Sequence, residues 1–319
     1  MPLHGHLWTI RPWLLHQLRP RRPPASVRWG TTVSDPLLGP IRLRGWLSGA
    51  SASYPGGACL VVIHGLGGTS EGHYVLDAAA AADRQQMACL RLDLRGAGGA
   101  GDDFYNAALT EDLRAALRSQ ELSGFEIIHV LGYSLGGHIA LRYATEDDID
   151  PRVRAVAAVC PPVDLERSAT EIDRPERWLY RQHILGALKA MYAPLASRRT
   201  FPLPAREAAR ISRIREWDER IVAPRFGFAS AEAYYAASSV APRLGRLAVP
   251  ALLVAAEHDP MVPAASIRPA LAGAPERLDV RWLEQGGHVG FPAAVALGFP
   301  EPLGLEPQIV AWLRARGTT

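Results

Sequence analysis

The sequence predicts an α/β fold: a mostly parallel central sheet of about eight strands flanked by helices, with a helical insertion ahead of the last two strands. Three observations predict it. Ala58–Ile63, Val153–Val159 and residues 250–256 are solid apolar runs, as strands buried on both faces must be. Helical periodicity fills most of the intervals between them. Residues 125–145 read as strand, sharp turn and helix, with Gly132-x-Ser134-x-Gly136 at the turn. A chain of 319 residues can hold one large domain with an insertion, or two small ones.

Residues 27–33 and 41–47 alternate as two opening strands, joined by a connector at 34–40 that carries the Pro and Gly of a turn. A small-residue loop spans 49–57. Ala58–Ile63 then runs into His64-Gly65-Leu66-Gly67-Gly68-Thr69-Ser70. A helix over 71–84 leads to a strand over 87–93 and to Arg95-Gly96-Ala97-Gly98-Gly99-Ala100-Gly101. That run looks like a dinucleotide fingerprint, but no acidic residue follows a second strand at the needed distance, so a flexible loop at the pocket mouth is expected. Thr110 is expected to cap a helix whose first turn holds Glu111 and Asp112.

Beyond Val153–Val159 and Cys160-Pro161-Pro162 the composition shifts to aromatics and arginines without a strong strand. Trp178, Leu185, Leu188, Tyr192 and Leu195 form one helical stripe; Ile211, Ile214, Trp217 and Ile221 form another. With residues 231–239 these are expected to cap the sheet edge. Strands at 250–256 and Leu278–Leu283 and a helix over 306–315 complete the core. The expected division is an N-terminal arm (1–26), a core (27–160 and 240–319) and a helical cap (161–239).

Composition narrows the function. Hydrophobic content of 48% and charged content of 21% are those of an ordinary soluble globular protein. A net charge of +3 with no long basic run speaks against nucleic acid. Lys189 is the only lysine, an imbalance that a genome-wide codon bias explains. Cys59, Cys89 and Cys160 sit in or at the end of apolar runs and read as buried free thiols, which points to a reducing, cytoplasmic compartment. None lies beside a base in sequence, which counts against a thiol nucleophile. No apolar run approaches the ~20 residues that span a bilayer. Residues 8–16 are apolar in places, but Arg11 and Pro12 interrupt them and no small-residue cleavage site follows, so an arm packed on the domain is expected rather than a signal peptide. Its aromatic and basic mixture also suits peripheral contact with a membrane surface.

The chemistry centres on Ser134. Strand, glycine-flanked serine and helix make a nucleophile elbow: the serine takes a strained backbone angle, and larger side chains two residues away would collide with the neighbouring strand and helix. The helix N-terminus behind it offers free N–H groups to an oxyanion. The loop after Ile63 supplies the second donor in such an arrangement, so the Leu66 and Leu135 amides are the expected oxyanion hole, each contributing roughly 2.7–4 kcal/mol of transition-state stabilisation. Phosphate binding by that loop is disfavoured, because the Gly-Lys-Ser/Thr of a P-loop is missing. Asp259 follows the strand at 250–256 on a proline-punctuated loop, where a triad acid belongs; Glu257 is its rival and His258 is expected to be non-catalytic. His288 follows the last strand between glycines. Taken singly, these could be a helix cap, a turn residue and a loop histidine. Jointly, serine, acid and histidine in that order after successive strands form the triad order of α/β-hydrolases.

The chain resembles the YheT branch of α/β-hydrolases, which also includes plant embryogenesis-associated and vertebrate membrane-linked members. The resemblance covers most of the chain: Gly5-His6-Leu7-Trp8-Thr9-Ile10, His64 through Ser70, Leu94-Arg95-Gly96, Gly132 through Gly137, Phe226-Gly227-Phe228 with Tyr234-Tyr235, Asp259-Pro260 and Gly287 through Phe291. Phe-Gly-Phe with the double tyrosine is more diagnostic of the branch than the elbow. One departure is the loop at 96–101, denser in glycine than in relatives, which puts the pocket rim in doubt. The resemblance implies a serine hydrolase of ester-type substrates, some relatives acting on lipid esters, and makes the arm part of the family body. No metal-ligand spacing stands out and no cofactor is expected. An elbow serine excludes the dehalogenases and epoxide hydrolases of this fold, which place aspartate there. Thioesterase or acyltransferase chemistry would use the same triad, and a ligand receptor retaining the fold is the alternative from another class. Cap aromatics point to an apolar acyl or alcohol group; oligomeric state stays open.

Overall fold

Eight strands form one sheet in the order β1-β2-β4-β3-β5-β6-β7-β8. They are β1 (Ser26–Asp35), β2 (Gly39–Ser48), β3 (Ala58–Ile63), β4 (Ala88–Asp93), β5 (Ile127–Tyr133), β6 (Val153–Val159), β7 (Ala251–Ala256) and β8 (Leu278–Leu283). The protein is represented by a computed structural model that describes residues 3–49, 57–99, 101–197, 201–299 and 302–317. The loop expected at 49–57 lies, apart from its two ends, outside the described residues. β1 and β2 form an antiparallel ribbon, β2 runs antiparallel to β4, and every later pairing is parallel. β3, β5, β6 and β7 are buried almost throughout, which is why they read as solid apolar runs.

Helices α1 (Leu3–Leu18), α2 (His73–Arg84), α3 (Glu111–Leu117), α4 (Leu135–Tyr143), α11 (Ala264–Leu271) and α12 (Leu305–Arg314) accompany the sheet. Between β6 and β7 the chain inserts α5 (Leu165–Ile172), α6 (Trp178–Ala196), α7 (Ala205–Ala208), α8 (Ile214–Trp217), α9 (Ala223–Phe226) and α10 (Ala231–Ser238). Four local expectations differ from this. α5 lies ahead of both expected stripes; its Asp164 cap accepts from Arg167 N–H. Trp178 is exposed, so the α6 stripe begins at Leu185, while Leu188, Tyr192 and Leu195 are buried. The second stripe is not one helix: a π-turn at Asp218–Val222 lies between α8 and α9, and Pro224 opens α9. Ile211 lies outside any helix, ahead of α8, yet Ile211, Trp217 and Ile221 are all buried. Thr110 flanks α3 without capping it, since its hydroxyl bonds the Glu146 carboxylate instead, at 2.9 Å.

A buried charge cluster ties the insertion to the sheet. Arg95 holds Asp112 at 2.6 and 2.8 Å and reaches Asp35 and Asp103 at 3.3 Å. Arg225, on α9, bonds Asp103 at 2.7 and 3.0 Å and Asp35 at 3.1 Å. All five side chains are buried. A buried pair broken at one end leaves a costly lone charge, so this cluster locks α9 to β1 and to the segment after β4.

Candidate active site

Ser134 follows β5 directly and has φ 51° and ψ −119°, the left-handed backbone of a sharp strand-to-helix turn. Its N–H is held by Val159 carbonyl at 2.8 Å. A Cβ at Gly132 would fall on the backbone of Gly136 and Gly137, and one at Gly136 on the carbonyls of Ile63 and His64, so only glycine closes the turn this tightly. Gly65 brings the loop after β3 beside the serine: a Cβ there would lie 3.1 Å from Ser134 Cβ.

That loop is braced from three sides. His64, fully buried, donates from Nδ1 to Gly65 carbonyl at 2.7 Å while Nε2 accepts from Leu94 N–H at 3.2 Å; burial holds its pKa below the ordinary value, so the ring is neutral. Tyr105 hydroxyl accepts from Gly67 N–H at 2.6 Å and Tyr74 hydroxyl accepts from Gly65 N–H at 3.2 Å. Leu66 N–H and Leu135 N–H have no acceptor among the described residues, and both residues line the same cavity as Ser134.

Asp259 and His288 come together across 29 residues of sequence. Asp259 Oδ2 accepts from His288 Nδ1 at 2.9 Å, and Oδ1 accepts the N–H groups of Met261 and Val262 at 2.8 and 2.9 Å. With Nδ1 so engaged, Nε2 is the free nitrogen. His288 and Ser134 line one cavity of about 800 Å³. Glu257 instead pairs with Arg268 at 2.7 Å, and the ring of His258 stacks edge-on against His4.

Two features were not visible along the chain. Cys160, at the end of β6 with φ 50°, lies with Asp259 and His288 in a group whose ligand-type atoms fall within 4.8 Å of one another. Burial, reinforced by the Asp259 carboxylate, raises its pKa well above the ordinary thiol value, so it stays a protonated thiol. The second feature is α1. Gly5 packs where a Cβ would strike His258 carbonyl, and Thr9 Oγ1 accepts the N–H of His288 at 2.8 Å. Both signals lie inside the Gly5-to-Ile10 motif, but only three-dimensional contact gives them meaning.

The cavity wall is completed by the insertion: Tyr180, Ile184 and Leu188 from α6, Trp217 and Asp218, and Tyr234 and Tyr235. The glycine-rich residues 96–99 and 101 do not line it; Tyr105, Asn106 and Ala107 do. The Asp218 carboxylate accepts from Tyr235 hydroxyl at 2.6 Å, and burial raises its pKa to about 7.

Comparison with known proteins matches residues 59–293 to the family model described as alpha/beta hydrolase fold. An Escherichia coli (strain K12) protein named "Putative esterase YheT" is 32% identical over 80% of this chain and 76% of its own length. The mouse protein named "Phospholipase ABHD3" is 24% identical over 73% of this chain and 58% of its own. Among solved structures, the alpha/beta hydrolase GrgF from a Penicillium species superposes with a TM-score of 0.53 at 24% identity, covering 82% of this chain and 91% of that one. At that identity the likeness bears on the fold.

Proposed function

This chain belongs to the α/β-hydrolase family, in its YheT-like branch, and from that premise we propose that it is a serine hydrolase of carboxylic esters with an apolar acyl or alcohol group. The observation that carries the reading is the convergence of a strained Ser134, the Asp259–His288 bond and two unpartnered amides on one largely apolar cavity. In this proposal His288 Nε2 takes the proton of Ser134 Oγ as the oxygen attacks the ester carbonyl. The oxyanion is held by the Leu66 and Leu135 N–H groups. Asp259 fixes the Nδ1–H tautomer and stabilises the imidazolium, which protonates the departing alcohol. Water activated by His288 then releases the acid and restores the serine. His64 and Cys160 take no proton in this scheme: the ring of His64 is spent on Gly65 and Leu94, and the thiol of Cys160 is held protonated.

The substrate reading rests on the wall of aliphatic and aromatic side chains and on relatives named as an esterase and a phospholipase. Cytoplasmic residence is part of the proposal, supported by three buried free cysteines. No helix among the described residues is long and apolar enough to cross a membrane. The test is labelling with a fluorophosphonate probe, followed by peptide mapping, alongside hydrolysis of a nitrophenyl ester series of increasing acyl length. Labelling at Ser134, with turnover lost in Ser134→Ala by orders of magnitude, is expected. An unlabelled serine in a protein that binds ligands tightly would favour a receptor.

A further inference from the structure

α1 is built inside out for a helix of a globular core. Its small and polar residues face the protein: Gly5 on the His258 backbone, Thr9 on His288, and Pro12 against Gly290. Its large apolar residues face away. Leu3 is 86% exposed, Leu7 54%, Leu14 48% and Leu18 71%, with Ile10, Trp13 and Leu15 exposed as well. Seven of the twelve exposed large hydrophobics among the described residues therefore lie on this one helix. Trp178 and Leu179, at the start of α6, are exposed too, and the next residue, Tyr180, bonds His6 of α1 through its hydroxyl at 2.5 Å. A monomeric soluble surface rarely gathers apolar side chains this way without a partner.

The patch borders an entrance. Ile10 and Trp13 of α1 and Leu179 of α6 are at once exposed and part of the wall of the cavity that holds Ser134, beside the exposed Gln17, Glu71 and His183. One side of the cavity mouth is thus the apolar patch.

Charge selects the partner. α1 contains no Asp or Glu, carries Arg11, and is followed by Arg19 and Arg22, all three exposed. Face-to-face packing of two copies of α1 would bring like charges together. An anionic bilayer would accept both the exposed apolar side chains and the arginines.

We propose that the outer face of α1, with Trp178 and Leu179, docks this protein on an anionic lipid surface so that the cavity mouth opens toward the membrane. The proposal goes beyond the ester-hydrolase reading and is tested without it. Full-length protein is floated with vesicles of phosphatidylcholine alone or with about one-third phosphatidylglycerol, at low and at high salt. Recovery with the anionic vesicles, reduced at high salt and weaker on phosphatidylcholine alone, is expected. The variant carrying Leu7→Ser, Leu14→Ser and Leu18→Ser, none of which lines the cavity, should partition about tenfold or more weakly. Its circular dichroism should match the parent and its melting temperature should stay close to it, because these side chains are about half exposed or more and belong to no core cluster. The proposal fails if the parent does not float, if floating ignores lipid charge, or if the triple variant floats as well as the parent. It also fails if light scattering finds a dimer that the triple variant turns into a monomer, since the patch then belongs to a second copy. A variant that misfolds is replaced by Arg19→Glu with Arg22→Glu, which should abolish anionic preference at unchanged fold.

Discussion

Replacing Thr9 with valine tests whether α1 is part of the catalytic apparatus or an appendage. Thr9 Oγ1 accepts the His288 N–H at 2.8 Å and itself donates to Gly5 carbonyl at 2.8 Å. Valine keeps the shape and removes the acceptor. A part-buried N–H left without a partner costs about 1–3 kcal/mol. That cost falls on a loop already strained: Val289 has φ 52°, a backbone region β-branched residues avoid. The other ties of the loop, Gly287 N–H to Gly290 carbonyl at 2.8 Å, Cys160 Sγ to Gly287 carbonyl at 3.7 Å and His288 Nδ1 to Asp259 at 2.9 Å, supply no acceptor for the freed N–H. The loop therefore gains freedom to carry the imidazole away from Ser134. If the full cost appears in the transition state, kcat/KM falls about 5- to 160-fold, at 1.36 kcal/mol per tenfold. The assay is steady-state hydrolysis of nitrophenyl butyrate, with fluorophosphonate labelling rate as an independent readout of serine activation. Thr9→Ser, which retains the oxygen, should restore most of the rate. Wild-type kinetics in Thr9→Val would refute the reasoning, because α1 would then position nothing.

Three further outcomes follow from the charges. Arg225→Met should destabilise the fold by about 3–5 kcal/mol, read as a lower urea midpoint, since Asp35 and Asp103 lose a buried partner; an unchanged midpoint would mean that Arg95 alone suffices. Acid should weaken the fold through histidines that have no part in the proposed chemistry. Burial lowers His73 and His129 from 6.5 to about 4, so between those values the unfolded chain binds protons that the folded chain refuses, and stability falls as pH drops from 6.5 toward 4. At pH 5.5 each contributes a loss of about 1.4 kcal/mol, together about 3 kcal/mol, and flat thermal stability from pH 7 to 5 would contradict it. Asp218 has the opposite sign: raised to about 7 by burial, its carboxyl is neutral below that pH and ionised above it. The KM for an apolar ester should therefore rise as pH passes through 7, and Asp218→Asn should remove that rise while leaving the remaining pH profile in place.

What could be read along the chain was what local covalent neighbours determine. The elbow is recognisable because the strand and helix that flank Gly132-x-Ser134-x-Gly136 lie in one contiguous stretch, and the solid runs of β3, β6 and β7 follow from burial on both faces. Thr110 shows the limit of a local rule, because its hydroxyl had a better partner in Glu146 across the fold. The broken second stripe shows another limit: Ile211 keeps the apolar spacing of Ile214, Trp217 and Ile221 but lies in the loop ahead of the helix. Cys160 was unreadable for a purely spatial reason, being separated in sequence by about a hundred residues from the carboxylate and the imidazole it approaches.

α1 is the most instructive case, because its composition points the wrong way. A leucine-rich helix normally buries its apolar side chains, since burial gains about 25 cal/mol for each Å² removed from water. Here the inward side is chosen by contacts that have nothing to do with hydrophobicity: a glycine lets two backbones touch at His258, and a threonine hydroxyl accepts from the backbone that carries His288. Those contacts are short, directional and bound to specific side chains, so they set the rotation of the helix. The leucines then have no place but outside. An element oriented by its polar contacts, and so forced to display its apolar ones beside the cavity mouth, couples two properties that could have been independent: the position of the imidazole and the surface presented to lipid. A change that rotates α1 should therefore disturb both together, whereas a change confined to its outer leucines should disturb only the second.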